Sequence, residues 1–267
     1  MQSKFLPLLM ALAFTACQPE NPPQQATPTP PPMASEVASS LTPENTAQQG
    51  YLQPTTELDY SDYGDKEYIQ NQMLLVNKFY PIGWGKNGEF AYVVEPADEA
   101  CGCYFFDIYI QDKSGENLWS WHYDSGDEEE PLQANLANTW AKNQDFFTEK
   151  LKEYGIVGQS TWTILPPEFD DNGKQISVSS KIQEGKHELF GFDAVKQADF
   201  FLKINNEEKK LFTKKYGEYD AVLSEELVGV LRHPLDKRGV ILSKRNNNGY
   251  EGPPTVLSPY LVGFEWD

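Results

Sequence analysis

Tyr104-Phe105-Phe106-Asp107-Ile108-Tyr109-Ile110, then Lys113-Ser114-Gly115-Glu116, then Leu118-Trp119-Ser120-Trp121-His122-Tyr123 is the stretch that decides the fold class. Tyr104, Phe106, Ile108 and Ile110 alternate with Phe105, Asp107 and Tyr109, which is the period of a half-buried strand. The four-residue segment around Gly115 carries turn chemistry, and Leu118 to Tyr123 returns as the second arm of a hairpin. Upstream, Lys86-Asn87-Gly88 forms a turn before the apolar run Phe90-Ala91-Tyr92-Val93-Val94. Downstream, strands are predicted over 175–183, 200–204, 210–214, 221–231, 239–244 and 260–266. Between them Leu136, Trp140, Phe147, Leu151 and Tyr154 fall at helical spacing, and Gly155 supplies a C-terminal stop. The acidic run Asp127 to Glu130, with Pro131, stands before the first turn, where negative charge favours the helix dipole. The expected class is α+β and β-rich: antiparallel sheets with one main helix of about five turns packed on a sheet.

Ile82-Gly83-Trp84, a turn and Phe90 to Val94 are echoed by Val228-Gly229-Val230, a turn and Val240 to Ser243. The first copy, from Trp84 to Tyr92, resembles the strand pair that opens a blade in propellers of the TolB type. A propeller needs at least four blades, so the two copies are read as two similar hairpins. The globular part as a whole resembles uncharacterised exported bacterial proteins, which implies no activity.

The N-terminus addresses location. Lys4 precedes ten mostly apolar residues, Phe5 to Phe14, followed by Thr15-Ala16-Cys17. A cationic start, a short apolar core and small residues before a cleavage point read as a secretory signal. The apolar run is too short for a bilayer core of ~30 Å. The placement of Cys17 resembles the lipobox of bacterial lipoproteins. That resemblance implies removal of residues 1–16, a diacylglyceryl group on the Cys17 thiol and anchoring in a membrane through lipid. Gln18 after the cysteine, by the same resemblance, implies the outer membrane. The physical case for lipid of this kind is that one acyl chain holds a protein only marginally, while two or more anchor it stably.

Residues 18–50 contain eight prolines, with Gln, Thr, Ser and Ala and no Lys or Arg. They offer too few large apolar groups to offset ordering entropy, and Pro28-Thr29-Pro30-Pro31-Pro32 favours polyproline II. Together with Cys17 this is read as a tether, 17–50, reaching at most ~100 Å. Residues 51–267 are read as a single domain, opening on an irregular lead-in over 51–66. The chain carries 22 basic and 40 acidic residues, net −18. Loss of Lys4 with the signal would leave −19. Such a chain repels phosphate backbones and anionic lipid, so no nucleic-acid partner is expected. The dense basic clusters, Lys209-Lys210, Lys214-Lys215 and Arg232 to Arg238, are read as solvated faces or hairpin loops.

Cys101-Gly102-Cys103 is the sharpest local feature of the domain. On a strand both thiols face one side, with Cα atoms near the upper end of the disulfide range, and Gly102 lets the backbone close a small ring. An exported chain keeps such pairs oxidised. A local disulfide is the preferred reading, against a redox pair and against free thiols or a soft-metal site.

The catalytic motifs fail. His187-Glu188 starts a zinc-protease motif, but Gly191 occupies the second histidine position. His122 lies in an aromatic strand and is read as structural, and His233 as part of a solvated hairpin loop. Gly158-Gln159-Ser160-Thr161-Trp162 has one glycine of a nucleophile elbow and lacks the other. Glu168 to Gly173 begins like an EF-hand loop, but Ser179 replaces the bidentate Glu, so a β-turn is preferred. Asp124 to Glu130 needs no calcium to explain it. No catalytic residue, metal or cofactor is assigned. Trp119, Trp121 and Tyr123 share a strand face, read as core rather than as a sugar platform. The turn-rich loop from Asn246 to Pro254 carries Tyr250 and Glu251, the candidate recognition residues for a protein or glycan ligand. The function expected is that of a membrane-anchored lipoprotein acting as a binding or envelope-structural module. Its rival is a secreted or periplasmic hydrolase with catalytic carboxylates.

Overall fold

A computed structural model describes residues 53–61, 73–127, 133–250 and 252–267, all within the unit Thr46–Asp267. The expected signal (1–16), the lipidated Cys17 and its tether (17–50), and Glu251 lie outside the described residues. In chain order the strands are β1 (Leu74–Val76), β2 (Lys78–Trp84), β3 (Phe90–Glu95), β4 (Phe105–Gln111) and β5 (Asn117–Asp124). The helix α1 (Leu136–Glu153) follows, then two short strands, β6 (Val157–Gly158) and β7 (Ile164–Leu165). Next come β8 (Glu168–Asp171), β9 (Lys174–Lys186), β10 (Asp193–Ile204) and β11 (Glu207–Lys215). Last are β12 (Val222–Arg232), β13 (Arg238–Gly249) and β14 (Gly252–Glu265). The fold is α+β and β-rich, with one α-helix among the described residues.

The strands form three sheets: β5-β4-β3-β2-β6 on the helix side, β1-β14-β13-β12-β7 in the centre, and β11-β10-β9-β8 on the far side. Pairing is antiparallel except for β1, which runs parallel to β14. Only Asn77 separates β1 from β2, so one stretch of chain passes from the central to the helix-side sheet.

Three apolar layers hold the stack together. Trp140, Phe147 and Leu151 of α1 pack on Ile82, Val93, Phe106, Ile108 and Ile110. Phe79, Trp84, Phe90 and Val94, on the opposite face of that sheet, meet Val240, Leu242, Leu257 and Leu261 of the central one. Val230, Ile241, Val262, Phe264 and Trp266, on the other central face, meet Val178, Ala198, Phe200 and Leu202 of the far sheet. The central sheet is therefore covered on both sides, which explains why Val240-Ile241-Leu242 is continuously apolar. Alternation survives in β4, where Phe106, Ile108 and Ile110 are fully buried and Phe105, Asp107 and Tyr109 are partly exposed.

The helix begins at Leu136, well past Asp127, which stands too far off to favour its dipole. No acid stands in its first turn. Asn135 caps it instead, its side chain accepting the Asn138 N–H at 2.9 Å, which satisfies an orphan donor directly. Asp127 belongs to a 3-10 turn, Ser125–Asp127, and Glu128 to Glu130 lie outside the described residues. The stop is as predicted: Gly155 adopts φ +63° and donates to the Lys152 carbonyl.

The two echoing hairpins share more than a pattern. Each has a register shift at its glycine, between Pro81 and Gly83 in β2 and between Leu227 and Gly229 in β12. Each glycine is met by one of the short strands. A Cβ at Gly83 would lie 2.0 Å from the Val157 carbonyl oxygen, and one at Gly229 2.2 Å from that of Leu165. The segment holding β6 and β7 thus edges two sheets in turn, and both approaches require a residue without a side chain.

Candidate functional site

At one end of the stack the helix-side sheet contributes the loop 96–104, the far sheet the loop 187–192, the passage from far to central sheet the loop 216–221, and the central sheet the β13–β14 hairpin tip at Tyr250. The Asn248 N–H donates to the Ala221 carbonyl at 2.8 Å, which sets the loops 216–221 and 249–252 side by side. Glu99, from the loop after β3, reaches over and accepts the Tyr250 N–H at 2.7 Å. The cysteine loop and the candidate recognition residue, remote in sequence, therefore meet.

Within that loop Cys101 and Cys103 are placed at bonding distance, with Cα atoms 5.2 Å apart. The Asp98 carboxylate accepts the backbone N–H groups of Ala100, Cys101 and Gly102. Slight burial opposes its charge, but these N–H groups hold its carboxyl below the usual carboxylate range. The loop thus has its own frame of hydrogen bonds. Replacement of both cysteines by Ser should leave a folded domain, with a loss of at most about 2 kcal/mol, because the closed ring is tiny. Mass spectrometry of the unreduced protein checks the bond. Two thiols that label without reductant would refute it.

Tyr250 is 93% exposed, and Tyr219, on the neighbouring loop, is 84% exposed. Phe190, at the tip between β9 and β10, is 66% exposed. Beneath that tip His187 is buried, stacked on Phe190 and tilted against Phe192, each at 4.9 Å. The segment from Asn246 to Pro254 is not the long loop expected. Pairing continues through Asn246↔Leu257, Asn247↔Val256 and Gly249↔Gly252. The Asn247 side chain donates to the Val256 carbonyl and Ser258 Oγ. The asparagines are ladder residues, with the Asn247 side chain as a cross-strand donor, leaving the tip as a tight hairpin with Tyr250 on it.

Other candidates resolve differently. Trp121 lies 5.1 Å from Phe147 of α1 and Trp119 5.9 Å from Phe146, so that face is core under the helix. His122 is not enclosed among the aromatics. It lies on the other side of β5, its side chain 61% exposed, and its Nδ1 meets Asp107 Oδ1 at 2.5 Å. Asp107 also accepts the Tyr109 hydroxyl. The result is an imidazole oriented by a carboxylate, with no nucleophile in hydrogen-bond reach among the described residues.

His233 is not solvated. Only 12% of its side chain is exposed, and its ring lies 5.5 Å from Trp84. Burial, then Arg238, lowers its pKa against the pull of Asp236. It lines a shallow cleft of about 230 Å3 at the opposite end of the stack, with Gln159, Thr161, Thr163, Leu165, Arg232 and Pro234. The Arg232 charge is met by Asp171, which also accepts Trp266 Nε1. Among the described residues no carboxylate lines this cleft. Among the described residues, the carboxyls with a displaced pKa, Glu89, Asp98 and Asp199, have it lowered. The paired carboxylates of a hydrolase, one held protonated, are not assembled there. Asn172-Gly173 makes a two-residue hairpin turn with φ of +54° and +83°, in place of an EF-hand loop. Among the described residues, no three His, Cys, Asp or Glu side chains group as metal ligands.

Compared with known protein families, curated proteins and solved structures, the chain matches none.

Proposed function

We propose that this chain is a lipid-anchored binding module of a bacterial envelope, held through Cys17 in the outer membrane. In this reading residues 18–50 are its tether, and it engages its partner with the loop end that carries Tyr219 and Tyr250. The observation behind it is the pair of aromatic side chains, 84% and 93% exposed, on adjacent tips of a rigid three-sheet stack. Large apolar surface presented on loops over a fixed scaffold is characteristic of interaction sites. The anchor rests on the apolar segment ending in Thr15-Ala16-Cys17.

Cys17→Ser should move the protein from the membrane to the soluble fraction, and only the parent should carry lipid mass. A membrane-bound variant together with an unlipidated parent would overturn the anchor. For the binding end, a photo-crosslinking residue at position 250 should give a discrete adduct in intact cells that is lost with Tyr219→Ala. The same residue at Leu235, 88% exposed at the opposite end, should give none. Equal labelling from both positions, or none from 250, would count against the site.

A further inference from the structure

The loop end is acidic as well as aromatic. Asp98, Glu99, Glu218 and Asp220 flank Tyr219 and Tyr250, and among the described residues none of the four has an ion-pair partner. The nearby cations are largely occupied. Lys78 pairs with Glu95, Lys186 with Asp193 and Lys196 with Glu188. Lys214 lies over the Tyr216 ring, which among the described residues leaves Lys215 against four carboxylates.

The interior of the same molecule shows what such a set can hold. The Arg245 guanidinium stacks on Tyr260 at 3.1 Å and faces Tyr216 at 4.9 Å, while Glu225 meets its charge. Tyrosine faces attract cations through the ring quadrupole, and a carboxylate beside them adds charge. At the loop end the same rings and carboxylates are present, and among the described residues no guanidinium or ammonium lies over Tyr219 or Tyr250. The tips protrude, and the cleft lined by Arg232 and His233 is at the other end, so the surface suits an extended partner more than a small molecule. A second copy of a chain at net −18 is disfavoured by its own charge.

We propose that the loop end docks a basic polypeptide segment, whose lysine or arginine side chains lie over Tyr219 and Tyr250 between the carboxylates of Glu99, Glu218 and Asp220. This rests on the reading of that end as the binding surface and names its partner by chemistry.

The full-length protein in neutral detergent is titrated with a short lysine homopolymer, with a glutamate homopolymer as control. Tyr219→Ala/Tyr250→Ala should weaken lysine-polymer binding by about tenfold, the loss of two cation–ring contacts, without changing net charge. Glu218→Gln/Asp220→Asn should weaken it too, and flatten its decline between about 50 mM and about 300 mM salt. Glu207→Gln/Glu208→Gln, the same charge change at the turn between β10 and β11, should have no effect. Equal weakening by that control would mean diffuse attraction to an acidic chain and would overturn the proposal. So would an inert tyrosine pair. If the adduct from position 250 persists while the homopolymer tests fail, a neutral protein or glycan partner is indicated. The binding surface would then stand and its cationic partner would fall; loss of both removes both.

Discussion

Replacing Glu225 by Ala is expected to destabilise the domain by about 3–5 kcal/mol, the range for a buried charge that loses its partner. The Glu225 side chain is fully buried and accepts from the Tyr216 hydroxyl and, at 2.8 Å, from Ser243 Oγ. Its cross-strand neighbour is Arg245, with Nε at 3.4 Å from the carboxylate and only 11% of the side chain exposed. Burial pushes the Tyr216 hydroxyl far above the ordinary phenol range, against the pull of Arg245, so it remains a donor. Removing the carboxylate strands a guanidinium inside the stack, with Nη2 already lacking a hydrogen-bond partner, and leaves two hydroxyls unpaired. Removing both charges is a different matter. Glu225→Leu with Arg245→Met should recover most of the loss, because a well-packed apolar pair replaces a buried ion pair at little cost. Urea unfolding with unchanged slope measures both. A loss under about 1 kcal/mol for Glu225→Ala, or a double variant no better than the single one, would show that water already compensates Arg245.

What could be read along the chain was what local periodicity encodes. The β4–β5 hairpin and α1 stand out because Phe106, Ile108 and Ile110 recur at two residues and Leu136, Trp140, Phe147 and Leu151 at helical spacing. The glycine shared by the hairpins was visible at Gly83 and Gly229. Its reason was not, because two-residue strands such as β6 and β7 leave no periodic trace. The β13–β14 turn was hidden by Asn246, Asn247 and Asn248, whose turn-like composition masks their use as ladder residues. The helix cap lay in one residue, Asn135, next to a more conspicuous acidic run. The loop end itself was half legible. Tyr250 drew attention as an aromatic in a turn-rich segment, whereas Tyr219 sits in an unremarkable loop. The Glu99 contact joins residues 151 positions apart, a pairing that only the stacked sheets create. The same holds for Glu225 and Arg245, which look like surface charges until the far sheet covers them.

Phe147→Ala should cost about 3–5 kcal/mol, as for other fully buried aromatic truncations. Its ring is fully buried, stacked on Phe106 at 5.7 Å, with Trp121 and Trp140 each 5.1 Å away. Alanine would leave a hole walled by three rings anchored on different elements, a geometry that relaxes poorly. Phe146, one position earlier and 38% exposed, tests the specificity of that argument, and its truncation should cost only about 1 kcal/mol. The layering adds a second expectation. Phe147 belongs to the layer between α1 and the helix-side sheet, while Phe200 and Trp266 belong to the layer between the central and far sheets. The two layers share no residue. Hydrogen exchange in the variant should therefore rise first in α1 and β5, with β10 and β13 amides keeping protection closer to that of the parent. Uniform loss across α1 and β10 would mean that the stack opens as one cooperative unit. The helix would then be a structural element as integral as the central sheet, rather than a cover laid on a self-supporting β stack.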